Sequence, residues 1–205
     1  MNPYDRFVLP RLIHLACGMK PIGRQREKVV PRARGRVLEI GIGSGLNLPY
    51  YDPAKVELLW ALEPGAGIRR MAERKAADLA FPIAFLDSPA EQIPLADESL
   101  DTVVTTFTLC TIPDAAAALG EMRRVLKPGG RLLFAEHGRA PDERVRRWQD
   151  RLTPLWKRIG GGCHLNRDIP AMIEAAGFRL SSLETAYLPG PRPLTFNFWG
   201  AASRR

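Results

Sequence analysis

Short apolar runs alternate with longer amphipathic segments along most of the chain. Such alternation is typical of βαβ units arranged around a parallel sheet. It predicts five strands, followed by two β-like runs that a Pro-Gly-Pro turn at residues 189–191 joins into an antiparallel hairpin. The predicted strands are residues 36–40, 57–62, 82–86, 100–106, 131–135, 178–187 and 193–201. We therefore expect an α/β fold, with a mostly parallel seven-stranded sheet and helices on both faces.

The amphipathic segments predict helices at residues 66–79, 115–126, 141–159 and 169–176. Asp114 is a good N-cap for the second helix, and a Pro-Gly-Gly turn at residues 128–130 is expected to end it abruptly. Pro154 is expected to bend or break the third helix, because its ring is incompatible with the preceding turn. The residues before the first strand are expected to form one or two helices that cap the strand ends.

Length and composition indicate one globular domain. The 205 residues, 45% hydrophobic and 25% charged, are enough for one sizeable core. We expect a single domain over residues 1–205, with capping helices in residues 1–34 and a substrate lid in residues 139–168. The apolar stretch at residues 12–17 has charges and Pro10 too close to it for a secretory signal. A cytoplasmic location and a monomer or homodimer are therefore expected.

The strongest motif is a glycine-rich turn directly after the first predicted strand. Gly41, Gly43 and Gly45 can adopt positive φ angles and let a ligand approach the backbone, and a following helix is expected to point its N–H groups into the same crevice. The G-x-G-x-G spacing lacks the last glycine of the dinucleotide motif G-x-G-x-x-G. Glu39 would repel a pyrophosphate and attract the ammonium group of S-adenosylmethionine (SAM). The turn favours SAM, and an NAD-dependent oxidoreductase stays the distant alternative.

Further cofactor contacts are expected at the carboxyl ends of other strands. Glu63, followed by Pro64, ends the second predicted strand about 20 residues after the glycine turn, where an acidic residue accepts hydrogen bonds from ribose hydroxyls. Asn47 follows the turn, and Thr106 ends the fourth strand. Since the carboxyl ends of parallel strands meet at one edge of a sheet, all four residues are expected to border the cofactor.

This topology and these motifs resemble the class I SAM-dependent methyltransferases, which have a Rossmann-like domain. In members related to ubiquinone and menaquinone biosynthesis, a segment similar to D-A-E-x-L-P borders adenine. The chain matches it with Ala90, Glu91 and Pro94, but Pro89 stands in place of the aspartate. The resemblance implies that the backbone N–H groups of Ala90 or Glu91 contact the ring. It also implies SAM as cofactor and S-adenosylhomocysteine as product.

From about residue 35 to residue 178 the chain resembles the methyltransferase-like enzymes that methylate alkyl thiols, and their bacterial relatives. The motifs are Gly45-Leu46-Asn47, Tyr51-Asp52-Pro53, Leu109-Cys110-Thr111-Ile112, Glu136-His137 and the stretch from Trp148-Gln149 to Gly162-Cys163-His164. They imply methyl transfer from SAM to a small apolar acceptor, with a thiol as the best candidate. Some bacterial enzymes with a similar core are phosphatidylethanolamine N-methyltransferases, so amine N-methylation stays an alternative. The animal enzymes' hydrophobic N-terminal anchor is not matched here, so their membrane residence is not implied.

Two candidate catalytic residues end the fifth predicted strand. His137 is the first candidate for a general base or substrate-positioning group, because its pKa suits proton transfer near neutral pH. A histidine hydrogen-bonded to loop backbone is an equal alternative. Glu136 could orient His137, bind the substrate or be structural. A thiol with a pKa near ~8.5 is partly ionised at neutral pH, so modest assistance would suffice.

Candidates for contact with the acceptor are Tyr4, Cys110, Trp148, Cys163 and His164. Cys110 could line the pocket or be a small core residue. Cys163, His164 and Trp148 lie in the predicted lid, where packing or a hinge is the alternative role, and Tyr4 could fold over the cofactor as N-terminal aromatics do in similar enzymes. The three cysteines form no CxxC pair and no zinc pattern, so neither a disulfide nor a metal is expected.

The net charge of +8 is compatible with nucleic acid or an anionic membrane as partner. We prefer a solvated, arginine-rich surface. An RNA methyltransferase is disfavoured, because no RNA-binding module is recognisable and residues 105–108 do not form an N-P-P-Y-type motif. We therefore expect a small-molecule acceptor and no nucleic acid. Transient docking on an anionic membrane stays open for the basic lid segment.

Overall fold

The computed structural model describes residue 4 and residues 8–77 and 79–204. Its strands are β1 (Gly35–Ile40), β2 (Val56–Leu62), β3 (Ile83–Leu86), β4 (Leu100–Thr106), β5 (Leu126–His137), β6 (Phe178–Tyr187) and β7 (Phe196–Arg204). Within the described residues they form one sheet in the order β3-β2-β1-β4-β5-β7-β6. Strands β1 to β5 are parallel to one another, whereas β7 is antiparallel to both β5 and β6. The predicted mostly parallel sheet with a closing hairpin is confirmed.

Helices cover both faces of this sheet. In the described part of the chain they are α1 (Leu9–Cys17), α2 (Lys20–Val29), α3 (Ala66–Ala76), α4 (Ala115–Val125), α5 (Glu143–Ile159), α6 (Ile169–Ala175) and α7 (Arg192–Thr195). One hydrophobic core includes residues of α4 and α6, and a second includes residues of α2 and α3. The described helices include none that is both long and apolar enough to cross a membrane.

The central strands supply both cores by simple alternation. In β4, Val103 joins the core under α4 while Val104 joins the core under α2 and α3. In β5, Phe134 joins the core under α4, and Leu133 joins the core under α2 and α3. Because successive side chains point to opposite faces, a strand covered on both sides is apolar at most positions. This explains the continuous apolar runs from which the strands were predicted.

Helix α5 runs without a break through Pro154, so the predicted break is wrong. The helix is fixed to the rest of the chain by Gln149, whose side chain accepts a hydrogen bond from the Ala140 N–H and donates one to the Gly138 carbonyl. Thr153 donates its hydroxyl to the Gln149 carbonyl at 2.7 Å. These contacts stabilise the turn of α5 in which Pro154 has no backbone N–H to donate.

The hairpin is closed by a longer connection than predicted. Residues 193–195 belong to the short helix α7, and β7 begins only at Phe196. Pro191 and Pro193 have fixed φ angles and no N–H to offer a strand ladder, which favours a helical turn here. A hydrogen bond from the Leu188 N–H to the Thr195 carbonyl closes the loop.

The predicted turn at residues 128–130 lies inside β5 instead of before it. Leu126, directly after α4, already pairs with Leu100, and regular pairing resumes where Arg131 faces Thr102. Gly129 has φ +79°, which allows the irregularity between these two pairings. The strand therefore continues on both sides of the turn and ends at His137.

The strand order reverses between β1 and β4, since β2 and β3 lie on one side and β5 on the other. In open α/β sheets, ligands bind outside the carboxyl ends of the strands at such a switch point. The residues that follow Ile40 and Thr106 are therefore the expected place for a functional site.

Candidate active site

A cleft of about 370 Å³ lies at the carboxyl ends of β1 and β4. Five of the predicted cofactor residues line it, namely Glu39, Gly41, Gly43, Asn47 and Thr106. The remaining wall includes side chains of α1 and α2 and the residues that follow β4: Ile13, Cys17, Arg26, Phe107 and Thr108. The sequence analysis did not single out these wall residues, because the contact of α1 and α2 with the cleft depends on tertiary packing.

The glycine turn has the backbone that its composition predicts. Gly41, Gly43 and Gly45 have φ angles of +68°, +54° and +72°. A Cβ on Gly41 would lie 2.5 Å from the Thr108 side chain, and one on Gly45 would lie 3.1 Å from the Cα of Ala72. A Cβ on Gly43 would meet no atom closer than 3.8 Å. Gly41 and Gly45 therefore allow close packing, whereas Gly43 keeps open space in the cleft.

The expected helix after this turn is not found in residues 41–55, all of which the structure describes. The turn leads instead into a 3-10 segment at Leu48–Tyr50. Pro49 and Pro53 interrupt any longer helical run. Helix N–H groups at this point therefore do not contribute to the site.

Glu39 is the centre of a buried polar network. Its side chain is 2% exposed, and its carboxylate accepts hydrogen bonds from Asn47 Nδ2 at 2.9 Å and the Tyr51 hydroxyl at 2.7 Å. Asn47 Nδ2 also donates to Thr106 Oγ1 at 2.9 Å, which joins β1, the glycine turn and β4. Burial raises the pKa of Glu39 to about 7, although the hydrogen bonds and the nearby Arg26 oppose the shift.

Glu63 fixes the end of β2 to the glycine turn. Its carboxylate accepts hydrogen bonds from the Gly43 N–H at 3.1 Å and the Gly65 N–H at 2.9 Å. Burial raises the pKa of Glu63 against these hydrogen bonds. A carboxylate has about four acceptor positions, so two stay free for hydroxyl donors. The ribose contact stays a prediction, and Pro64 behind it is exposed.

The two predicted adenine-contacting residues lie on the loop after β3. Ala90 is buried in the core under α4, and the Glu91 carboxylate accepts a hydrogen bond from the Asp114 N–H at the start of α4. Neither residue is among those that line the described cleft. The adenine contact therefore stays a prediction.

Glu136 fixes the loop that follows β4. Its carboxylate is fully buried and accepts hydrogen bonds from the Thr105 hydroxyl and from the N–H groups of Thr108 and Leu109, at 2.8 to 3.2 Å. Burial raises its pKa to about 6. These three donors hold the loop and leave about one acceptor position of the carboxylate free. The catalytic role of Glu136 stays a prediction.

His137 lies beside two cysteines that are distant in sequence. His137 Nε2 is 3.2 Å from Cys163 Sγ, and Cys110 Sγ joins them so that the three side-chain atoms lie within 4.8 Å of one another. Contact with the Cys110 thiol, followed by contact with His137, lowers the pKa of Cys163. Burial alone would lower the pKa of His137, but its contact with Cys163 raises it overall. The sequence analysis predicted each residue separately and did not predict the cluster.

His164 holds the segment after α5 against the loop after β4. Its N–H donates to the Cys110 carbonyl at 2.8 Å, and its Nδ1 is 3.1 Å from the same oxygen. The Arg167 guanidinium donates to the Leu109 carbonyl. This segment therefore carries Cys163 to the end of the sheet.

An apolar groove of about 470 Å³ lies between α5 and α7. Its walls are Leu152, Leu155, Trp156, Ile159, Pro191, Pro193 and Leu194. Three of these residues, Leu152, Trp156 and Leu194, also pack against the buried cluster of Cys110, Cys163 and Leu165. These three side chains therefore lie between the groove and the buried cysteines.

Two predicted acceptor contacts lie elsewhere. Trp148 is 50% exposed on α5 and lines neither the described cleft nor the groove, whereas Trp156 lines the groove. Tyr4 donates its hydroxyl to the Ile159 carbonyl at 2.7 Å, at the end of α5. The apolar periodicity of α5 includes both tryptophans and does not distinguish the one that faces the groove.

Residues 38–134 match the family model described as a methyltransferase domain. The rat thiol S-methyltransferase TMT1B (Rattus norvegicus) is 36% identical over 163 residues, which cover 76% of this chain and 64% of that protein. The chain thus has a methyltransferase domain at residues 38–134 and is similar to methyltransferases over most of its length. A phosphatidylethanolamine N-methyltransferase of Cereibacter sphaeroides is 32% identical over 117 residues, 56% of this chain and 57% of that protein.

Solved structures support the same fold. A SAM-dependent methyltransferase of Thermotoga maritima superposes with a TM-score of 0.68 and 21% identity, covering 98% of each chain. The 205-residue chain spans 64% of the length of the rat and human thiol S-methyltransferases that it matches. Similarity at 21% identity establishes the Rossmann-like architecture and does not identify the molecule that accepts the methyl group.

The cleft fits the cofactor of this family. SAM supplies a methyl group on a positively charged sulfonium, next to an amino-acid portion that carries an ammonium group. Glu39 offers a carboxylate to such a cation, and Asn47 Oδ1 is a buried acceptor with no hydrogen-bond partner among the described residues. The open space at Gly43 admits a ligand next to the backbone. These features favour a zwitterionic nucleoside over a pyrophosphate.

Replacement of Glu63 by alanine is expected to weaken SAM binding roughly ten- to a hundredfold, because one or more charge-assisted hydrogen bonds to ribose hydroxyls are lost. Isothermal titration calorimetry with SAM measures the effect. The matched control is Glu57→Ala, which removes an exposed acid from the same strand β2 and should leave the affinity unchanged. Equal affinities of the two variants would contradict the ribose contact.

SAM affinity should fall as the pH is lowered through the pKa of Glu39. The carboxyl of Glu39 has a pKa of about 7, and its protonated form does not attract an ammonium group. Binding therefore favours the ionised form, and affinity should drop roughly tenfold from about pH 7 to about pH 5.5. Titrations at both pH values test this. The Glu39→Gln variant should bind more weakly and with little pH dependence, and an unchanged slope in that variant would contradict the assignment.

Proposed function

We propose that this methyltransferase transfers the methyl group of SAM to the sulfur of a small apolar thiol. The observation that carries the proposal is the apolar groove, whose residues Leu152, Trp156 and Leu194 pack against the buried cluster of Cys110, Cys163 and Leu165. Its walls are leucine, isoleucine, proline and tryptophan, so an acceptor gains affinity there by burying hydrocarbon. Similarity to thiol S-methyltransferases over 76% of the chain supports the same acceptor.

The chemistry asks little of the protein beyond position and exclusion of water. A sulfur lone pair of the acceptor forms the new bond to the methyl carbon as the bond to the sulfonium sulfur breaks, and the thiol proton leaves to solvent. A thiol with a pKa near ~8.5 needs only a modest shift to react as thiolate at neutral pH. The protein's part is to hold the acceptor sulfur in line with the methyl group, which is worth several kcal/mol by orientation alone.

Phosphatidylethanolamine N-methylation is the second candidate function. The relative from Cereibacter sphaeroides with that name matches 56% of the chain. A lipid acceptor would also use the groove for its acyl chains. The two candidates differ in the atom that receives the methyl group, which makes them separable by product analysis.

We expect the purified protein, with labelled SAM, to methylate alkyl and aryl thiols but not the corresponding alcohols. Because each buried methylene contributes about 0.8 kcal/mol, kcat/KM should rise up to about fourfold per methylene until the groove is filled. Mass spectrometry of the products identifies methyl thioethers. Methylation of phosphatidylethanolamine vesicles without turnover of any thiol would contradict the thiol assignment.

A matched pair of variants ties this selectivity to the groove. Trp156→Ala should lower kcat/KM for long-chain thiols more than for short ones, because it removes a wall of the groove. Leu183→Ala removes an exposed leucine of β6 that does not line the groove, and it should leave the chain-length dependence unchanged. An equal effect of both variants would show that the groove does not hold the acceptor.

We also propose peripheral contact with an anionic lipid surface. Leu12 and Leu15 of α1 and Met19, directly before α2, are exposed, as are Leu155 and Ile159 of α5. The two helices are neighbours, since Gly161 after α5 lies beside Leu9 of α1. Basic residues adjoin these side chains in sequence: Arg11, Lys20, Lys157 and Arg158. Apolar side chains with neighbouring cations are typical of segments that lie in the interface of anionic membranes. The cytoplasmic location and the monomer or homodimer stay predictions.

The protein should co-sediment with vesicles that contain phosphatidylglycerol and much less with neutral phosphatidylcholine vesicles. Added salt should weaken the interaction, because screening reduces the attraction of the basic residues. Leu15→Glu should release the protein, whereas the control Leu183→Glu, at an exposed position of β6, should not. Equal binding of both variants would contradict the assigned surface.

A further inference from the structure

Cys110, His137 and Cys163 bring together two sulfur atoms and one nitrogen atom from three separate parts of the fold. Cys110 follows β4, His137 ends β5 and Cys163 follows α5. The three atoms lie within 4.8 Å of one another, with 3.2 Å between His137 Nε2 and Cys163 Sγ. A tetrahedral zinc ion, with bonds of about 2.3 Å to sulfur and 2.0 Å to nitrogen, separates its ligand atoms by roughly 3.5 to 3.8 Å. Small side-chain movements would therefore place all three at bonding distance.

Backbone contacts fix the segments that carry these side chains. The Cys110 carbonyl accepts the His164 N–H, which joins the loop after β4 to the segment after α5. The Glu136 carboxylate holds the N–H groups of Thr108 and Leu109 in the same loop. Metal sites require ligands that are held in place by their surroundings, and these contacts provide that support independently of any ion.

The surroundings of the cluster suit a metal bound by thiolates. Cys110 and Cys163 are 2% and 8% exposed, and both are free cysteines. Leu165 belongs to the same buried cluster, and the side chains of Leu152, Trp156 and Leu194 pack against it. Two cysteines and one histidine are soft and borderline ligands, which select zinc over magnesium or calcium. Three protein ligands with one position left open are typical of catalytic zinc sites.

We propose that Cys110, His137 and Cys163 bind one zinc ion whose fourth position takes the sulfur of the acceptor. The second half of this proposal rests on the proposed function. Leu152, Trp156 and Leu194 line the groove and pack against the cluster of Cys110, Cys163 and Leu165, so movement of these side chains would give the sulfur of an acceptor in the groove access to the metal. A thiol that coordinates zinc loses its proton, which passes to solvent. Its lone pair then forms the carbon–sulfur bond, the sulfonium bond breaks with its electron pair on the departing sulfur, and zinc keeps its oxidation state.

The metal itself is tested without any acceptor. The full-length protein, reconstituted with zinc and dialysed, should contain about one zinc ion per chain by plasma mass spectrometry. Cys163→Ser and His137→Ala should each bind zinc at least roughly tenfold more weakly, since loss of a supporting contact alone has that effect. Cys17→Ser is the matched control, because it removes the third cysteine of the chain and should keep the zinc. Zinc-free wild-type protein, a disulfide between Cys110 and Cys163, or equal zinc loss in Cys17→Ser would overturn the proposal.

Cobalt substitution tests the open position of the metal site. Because it uses the wild-type protein, it also tests metal binding if a variant fails to fold. The wild-type protein with Co²⁺ should show thiolate charge-transfer and tetrahedral ligand-field bands. An apolar thiol, added without SAM, should shift these bands, whereas the corresponding alcohol should not. If the bands stay unchanged with a thiol that the enzyme methylates, the acceptor does not bind the metal and that half is overturned. If zinc binds but no thiol is methylated, the site stands and the proposed function fails.

Discussion

The loop after β4 carries residues of both the cleft and the cysteine cluster, and the buried carboxylate of Glu136 holds this loop in place. The loop begins at Phe107, whose φ of +54° is costly for a residue with a side chain, by about 1 to 2 kcal/mol. Hydrogen bonds from Thr105, Thr108 and Leu109 to one charged group contribute about 1.5 to 3 kcal/mol each and outweigh this cost. The same loop then offers Phe107 to the cleft and Cys110 to the cysteine cluster.

Two buried carboxylates lie on either side of β4, Glu39 on β1 and Glu136 on β5, and they have different surroundings. Glu136 accepts hydrogen bonds from Thr105, Thr108 and Leu109 and holds the loop after β4. Glu39 accepts hydrogen bonds from Asn47 and Tyr51 and lines the cleft. Burial raises the pKa of both groups, to about 6 for Glu136 and about 7 for Glu39. Of the two, Glu39 lies where a cation in the cleft would stabilise the ionised form.

Local signals were enough to predict the sheet and the cofactor turn. Strands buried on both faces are recognisable as continuous apolar runs, and the glycine spacing limits the ligands that fit. The break at Pro154 and the start of β7 were predicted wrongly, because the contacts of Gln149 and the loop closure at Thr195 are tertiary. The helix expected after the glycine turn does not form, because Pro49 and Pro53 follow. The cluster of Cys110 and Cys163 could not be predicted from the sequence, since only the folded segment after α5 brings the two residues together.

The close approach of Gly41 to Thr108 has a consequence for how such a protein can change over evolutionary time. Any side chain at position 41 would displace Thr108, and with it the loop that carries Cys110. A mutation in the glycine turn is therefore expected to disturb the cysteine cluster as well. The groove residues Leu155 and Ile159 are not among the side chains that pack against this cluster, so variation is expected to accumulate there more readily.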